Sequence, residues 1–173
     1  MFKSWNYDDS PLLPIFQIDQ GKDKSTKLWI HTNNFAERLD LNSKKSLDIF
    51  LRSFESFPLL NNWQNYLSEG IRHTSEFKLG EKNEAISLCL HLNSDNEITE
   101  WSFHLTLVRC TLIVRSDQTD ALLSRKSKTR ITSRLLKPIK EHIEDLDKIF
   151  EISTSFRQRH LLEGKVEIPA PLN

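Results

Sequence analysis

The chain has 173 residues, 38% of them hydrophobic and 28% charged, which fits one globular domain with a single core and excludes disorder throughout. Its 24 Lys and Arg residues balance 24 Asp and Glu residues, so no global field draws it to nucleic acid or anionic lipid, and a polyanion has to be held by a local cluster of cations. The opening MFKSWNYDDS has no apolar signal region, and no run reaches the roughly twenty apolar residues of a membrane span, so the expected location is cytoplasmic.

Residues 1–14 are polar and aromatic without periodicity, and Pro11 and Pro14 keep their neighbours extended, which predicts an irregular opening segment. Leu13, Ile15 and Ile18 around Phe16, then GKDKS, then KLWIHT predict strand, turn and strand. From Ser46 to Phe57 the residues Leu47, Phe50, Leu51, Phe54 and Phe57 recur at helical spacing, predicting an amphipathic helix closed by Pro58, with a further short helix within 59–71.

The clearest β pattern is AISLCLHLN and EITEWSFHLTLV, joined by the turn formers Ser94, Asp95 and Asn96. Trp101, Phe103, Leu105 and Leu107 alternate with Ser102, His104 and Thr106, which predicts a strand with the apolar row on its covered face. Cys89 and Cys110 lie in such apolar stretches, away from any metal-ligand spacing, and read as reduced core thiols. Ser116 opens a short helix through Leu123. Pro138 suits the first turn of one long helix over 138–163, stopped by Gly164. Ile139, Ile143, Leu146, Phe150, Phe156 and Leu161 form its buried stripe, and Glu141, Glu144, Asp145 and Asp147 sit near its N-terminal end, where the dipole favours anions. The expected fold class is α+β: an antiparallel β-sheet with packed helices, in a single domain over 1–173.

Three groups of residues could carry chemistry. Asp8 and Asp9, beside Trp5 and Tyr7, are adjacent carboxylates of the kind that hold Mg²⁺ against phosphate, although acidic pairs are more commonly plain surface residues. Arg125, Lys126, Lys128, Arg130, Arg134, Lys137 and Lys140 fall in one run with no acidic residue, which is either a phosphate-binding segment or a solvated linker. Six histidines are scattered without a zinc spacing, and His91 and His104 are placed to face each other across the hairpin as a structural pair. No GxSxG, GxxxxGK[ST] or GxGxxG occurs, and four glycines cannot build a phosphate-cradling loop, so serine hydrolase and nucleotide-triphosphate chemistry are set aside.

The order of the segments resembles the RNB catalytic domain of the ribonuclease II and ribonuclease R exoribonucleases, read from its catalytic aspartates onward. YDDSP is similar to the aspartate motif, LWIHTNNFAERLDLNSKKSLD to the "LWIH-I-A-D-x-A…PLD" block, and the stretch ending at Phe57 and Pro58 to "S-x-Y-L-P". EAISLCLHLNSDNEITEWSFHLTLVRC, SDQTDALLSRK and FRQRHLLEGKVEIPAP resemble the hairpin, "YEEADALL" and "LRxxRxxxGAIxLxxP" blocks.

The resemblance implies a hydrolase that shortens single-stranded RNA from its 3′ end, with Mg²⁺ held by four aspartates in the pattern D-x5-D-x-D-D. Carried over, the last two fall on Asp8 and Asp9, with Asp9 the catalytic carboxylate, while the second falls on the neutral Asn6 and the first before Met1. Asn34 stands where the family has aspartate, and Phe57 where it has a tyrosine that stacks on a base. The chain matches only the front half of that domain, which implies a truncated, inactive or very weak exoribonuclease with weak or lost Mg²⁺. RNA would then be held by Phe57 and the seven cations, with a separate chain as a candidate source of the second half. The alternative is a non-catalytic RNA-binding or protein-interaction module derived from that domain.

Overall fold

A computed structural model describes residues 14–21, 25–34, 37, 40, 42–44, 57–59, 62–64, 76–125 and 134–166. Four strands form one antiparallel sheet: β1 (Ile15–Gln20), β2 (Thr26–Asn33), β5 (Lys82–Leu92) and β6 (Ile98–Arg109), in the spatial order β1-β2-β5-β6. β3 (Phe57–Leu59) and β4 (Asn62–Gln64) form a separate two-stranded hairpin. The helices wholly within the described residues are α1 (Ser116–Leu123) and α2 (Ile143–Leu162), the second preceded by a 3₁₀ turn over Lys137–His142. The α+β architecture is therefore the one expected, and among the described residues no helix is long and apolar enough to cross a membrane.

β5 and β6 reverse direction through a turn built by asparagines. Asn93 accepts the backbone N–H groups of Asp95 and Glu97 on its side-chain oxygen at 3.0 and 2.8 Å, and Asn96 takes φ 57°, a left-handed conformation that asparagine tolerates better than most residues. Asn96 then donates to Glu151 of α2 at 3.2 Å, and Arg159 of α2 reaches the Asp95 carbonyl at 3.3 Å. The hairpin end is thus tied to the helix that covers the sheet.

Alternation along each strand gives the sheet two different faces. On one, Leu28, Leu90 and Leu92 pack with Ile152 of α2, joined by Phe16, Ile18, Ile30, Leu88, Ile149 and Phe156. A second cluster of Val114, Leu122, Leu136, Ile139, Ile143 and Leu146 joins α1, the 3₁₀ turn and the start of α2. Buried Gln118 supports it from the polar side, accepting the Arg115 N–H at 2.9 Å and donating to the Leu135 carbonyl at 3.2 Å. Cys89 and Cys110 are buried free thiols.

Several expectations need correction. The long helix is not continuous over 138–163, because the segment begins as 3₁₀, with the Ile139 N–H bonded to the Leu136 carbonyl three residues back, and turns α-helical only at Ile143. Pro138 supplies no N–H to an α ladder, and this tight turn points Ile139 into the core. The C-terminal stop is as expected: Gly164 has φ 80°, its N–H bonds Leu161 O, and the Lys165 N–H bonds His160 O, a Schellman closure. Leu161, placed in the buried stripe, is exposed.

The helix expected over Ser46 to Phe57 lies almost wholly outside the described residues. At its end Phe57 and Pro58 belong to β3, and residues 62–64, expected within a short helix, form β4. Proline biases the residue before it toward extended backbone, which here outweighs helical spacing. The apolar row of β6 is the largest departure. Trp101, Phe103, Leu105 and Leu107 remain 61, 64, 80 and 60% exposed, because α2 covers β1, β2 and β5 and stops short of the edge strand.

Ile152 is 1% exposed at the centre of the sheet–helix contact, so Ile152→Ala is expected to destabilise the fold by about 2–5 kcal/mol. Leu162→Ala, at a residue 89% exposed on the same helix, is expected to stay within about 0.5 kcal/mol. Urea unfolding of the two variants checks the contrast.

Candidate functional site

The cationic run divides when placed on the fold. Arg125, at the end of α1, turns inward and pairs with Asp147 of α2; its side chain is 14% exposed, and its Nε is buried without a partner among the described residues. It ties α1 to α2, and its charge faces a carboxylate. Arg134, Lys137 and Lys140 are exposed and form no ion pair with a described residue. Lys137 and Lys140 lie three apart in the 3₁₀ turn, where three residues complete one turn, so the two ammonium groups share a face. Buried Ile139 between them anchors that turn in the second core, giving the cations a fixed base.

Lys126, Lys128 and Arg130 lie outside the described residues, as do Asn6, Asp8 and Asp9. Phe57 is described in its backbone alone, as the first residue of β3 opposite Gln64. Asn34, just after β2, is half-buried and donates to Glu37 at 2.5 Å, so its amide is engaged locally.

The second sheet face holds a polar chain that sequence patterning did not disclose. His31 of β2 is 3% exposed, and its Nδ1 lies 2.6 Å from the Ser87 hydroxyl of β5. Ser87 lies 2.5 Å from the Thr106 hydroxyl of β6, which also reaches the Ala85 carbonyl at 3.4 Å. Among the described residues His31 Nε2 has no hydrogen-bond partner. Burial therefore pushes the His31 imidazolium pKa below its ordinary value, a shift that the Asp19 carboxylate partly opposes.

Trp29 flanks this chain. Its ring stacks on His31 at 6.1 Å and tilts against His104 at 5.4 Å, and its Nε1–H donates to Asp19 at 3.0 Å. Gln17 donates to the other Asp19 oxygen at 2.9 Å, which fixes the carboxylate. His91 and His104 do not face each other: the register sets His91 opposite Glu100 and His104 opposite Ser87. The sequence carried no signal for this chain: His31 joins the row of buried Ser87 and Ile15 only through the pairing of β1, β2 and β5, and on that row it has to be satisfied or neutral.

The family model for the RNB domain matches residues 4–173. The chain belongs to the RNB family. Among solved structures, RNase R of Mycoplasma genitalium in complex with ribose methylated single-stranded RNA matches with a TM-score of 0.75 at 10% identity, over 98% of this chain and 25% of that one. The Dss1 exoribonuclease of Candida glabrata, an active-site mutant, matches at a TM-score of 0.73 and 14% identity, over 92% and 21%. Yeast Ssd1, a pseudonuclease, matches at a TM-score of 0.68 and 15% identity, over 99% and 19%. No curated protein matches the chain. The RNB chain described here therefore spans a quarter or less of these solved relatives, and the four-stranded sheet with its helices is the shared fold.

The lowered His31 pKa sets a direction for stability. The unfolded chain takes up the proton near the ordinary value of about 6.5 while the folded chain resists it, so stability present above that pH is lost as pH falls below it. The expected loss approaches at most about 1.4 kcal/mol per pH unit from this one group. His31→Asn is expected to flatten the fall between about pH 6.5 and pH 5, measured by urea unfolding at stepped pH.

Proposed function

We propose that this RNB-family chain holds single-stranded RNA by its phosphates and hydrolyses it weakly or not at all. The observation that carries the reading is the RNB match over residues 4–173 together with Asn6 at a metal-binding aspartate position of the pattern. Support for the RNA ligand comes from RNase R, solved with single-stranded and with double-stranded RNA. Arg134, Lys137 and Lys140 supply exposed cations on a fixed turn, Lys126, Lys128 and Arg130 extend the run in sequence, and Phe57 offers a ring for stacking.

Asp8 and Asp9 are the residues that would hold Mg²⁺, and Asp9 is the carboxylate whose loss would abolish any cleavage. Mg²⁺ prefers octahedral oxygen coordination and keeps its waters when few carboxylates are offered, so the neutral Asn6 amide beside Asp8 and Asp9 favours weaker binding than a carboxylate there would. Preorganised charge contributes most of the rate in phosphoryl transfer, and a neutral ligand at one position removes part of it. A non-catalytic RNA-binding module is the second reading, favoured by the same Asn6 and by the existence of a pseudonuclease, Ssd1, with this fold.

Binding of 5′-labelled single-stranded RNA is expected to weaken steeply with salt and to survive Asp9→Asn. The triple variant Arg134→Gln, Lys137→Gln and Lys140→Gln is expected to reduce the slope of log affinity against log salt by about 2, at about 0.7 per phosphate contact on a single strand. Fluorescence anisotropy measures both. Incubation with Mg²⁺ tests the catalytic part: a ladder of 3′-shortened products that vanishes in Asp9→Asn would overturn the reading of a weakened site.

A further inference from the structure

We infer that Arg134, Lys137 and Lys140 form a straight cationic row that takes three successive phosphates of one RNA strand, so that the alignment of these charges sets the affinity beyond their sum. The inference rests on the RNA-binding reading above and adds the geometry of the contact. The row is a product of period. In a 3₁₀ turn three residues complete one turn, and residues 137–142 form such a turn, with the Ile139 N–H bonded to the Leu136 carbonyl. Residues 134–136 lead into it as a turn. Burial follows the same period: Leu136 and Ile139 are buried and His142 is half-buried, so every third residue faces the core. Arg134, Lys137 and Lys140, exposed and also three apart, make a second face, and exposed Leu135, Pro138 and Glu141 make the third.

The straightness depends on the 3₁₀ geometry. At a rise of about 2.0 Å per residue the cations stand about 6 Å apart, and the row is about 12 Å long. In an α-helix, at about 3.6 residues per turn, Arg134 and Lys140 would be turned about 120° apart, and no single strand could lie along all three. A 3₁₀ run of six residues is longer than most. It ends where the row does: the next residue in the period, Ile143, is apolar, buried and the first of α2.

The three charges have no counter-charge among the described residues, whereas Arg125 of the same run is taken by Asp147. Like charges at this spacing repel, and an anion with a matching repeat relieves all three at once. The carboxylates nearest in sequence stand elsewhere. Glu141 is on the third face, and Glu144 and Asp145 belong to the first turn of α2, where the helix dipole favours them. An extended ribose-phosphate strand carries one charge per nucleotide at a comparable repeat, while a lone phosphate meets one cation of the row. An acidic peptide in extended form repeats at about 6.6 Å on one side and is the competing ligand in the test.

The test exchanges two neighbours. Lys140→Glu with Glu141→Lys keeps composition and net charge and moves one ammonium off the row. Fluorescence anisotropy measures its affinity for 5′-labelled single-stranded oligouridylate, which is expected to be no higher than that of Lys140→Gln, a variant that loses charge outright. Both are expected to bind about fivefold more weakly than the parent chain at about 0.1 M salt, with the slope of log affinity against log salt smaller by about 0.7. The exchange at the other end, Arg134→Leu with Leu135→Arg, is expected to act alike without touching the start of α2, and Lys140→Arg is expected to bind as the parent does. Parent-like affinity in both exchange variants overturns the row, because net charge alone would then suffice. Polyglutamate binding the parent as tightly as the oligonucleotide overturns the assignment to RNA. The triple glutamine variant described above separates this inference from the RNA-binding reading. If it binds RNA as the parent does, that reading fails and the row with it; a weakened triple variant beside parent-like exchange variants overturns the row alone.

Discussion

The contact of Ile152 with Leu28, Leu90 and Leu92 is the constraint on which the rest of the structure depends. An antiparallel sheet with one apolar face has to bury that face, and α2 is the element that does so. Its position fixes others: the Asn96 to Glu151 and Arg159 to Asp95 bonds hold the hairpin end, the 3₁₀ turn before it carries Ile139 into the second core, and Arg125 reaches back to Asp147. Exposed polar links of this kind contribute little singly, and their effect here is to fix the crossing of helix and sheet.

That crossing explains why the two sheet faces differ in character. Beneath α2 the face is apolar, whereas the opposite face runs through His31, Ser87 and Thr106, a line of hydroxyls and an imidazole in a buried setting. Buried polar groups cost free energy unless they are paired, and among the described residues the Nε2 of His31 leaves this line unsatisfied. The Asp19 lock on Trp29 sits at the edge of the same line, so β1 and β2 are held together by side chains as well as by the ladder.

For function, the fold sorts charge more sharply than composition does. A chain with no net charge presents exposed cations where the 3₁₀ turn projects them, and it uses Arg125 of the same run as an internal tie. A ligand-binding charge and a structural charge are therefore adjacent in sequence and differ only in what lies opposite them. The exposed row of β6 has a related origin: among the described residues α2 is the helix packed on this face, and one helix spans only part of a four-stranded sheet.

The sequence by itself determined the hairpin of β5 and β6, the short helix from Ser116 to Leu123, the Gly164 stop and the family, because each depends on local pattern: alternation, turn chemistry, capping or the order of motifs. It read Phe57 and Pro58 as a helix end where they form a strand, since spacing of apolar residues was weighed above the extended bias before proline. It also named the side of β6 that is apolar without deciding whether that side is covered. Alternation states which residues share a face, but coverage depends on how far a helix from elsewhere in the chain reaches across the sheet. The inward turn of Arg125 and the burial of His31 were closed to the sequence for the same reason: Asp147, Ser87 and Thr106 are distant in the chain, and only the tertiary structure brings them within hydrogen-bonding range.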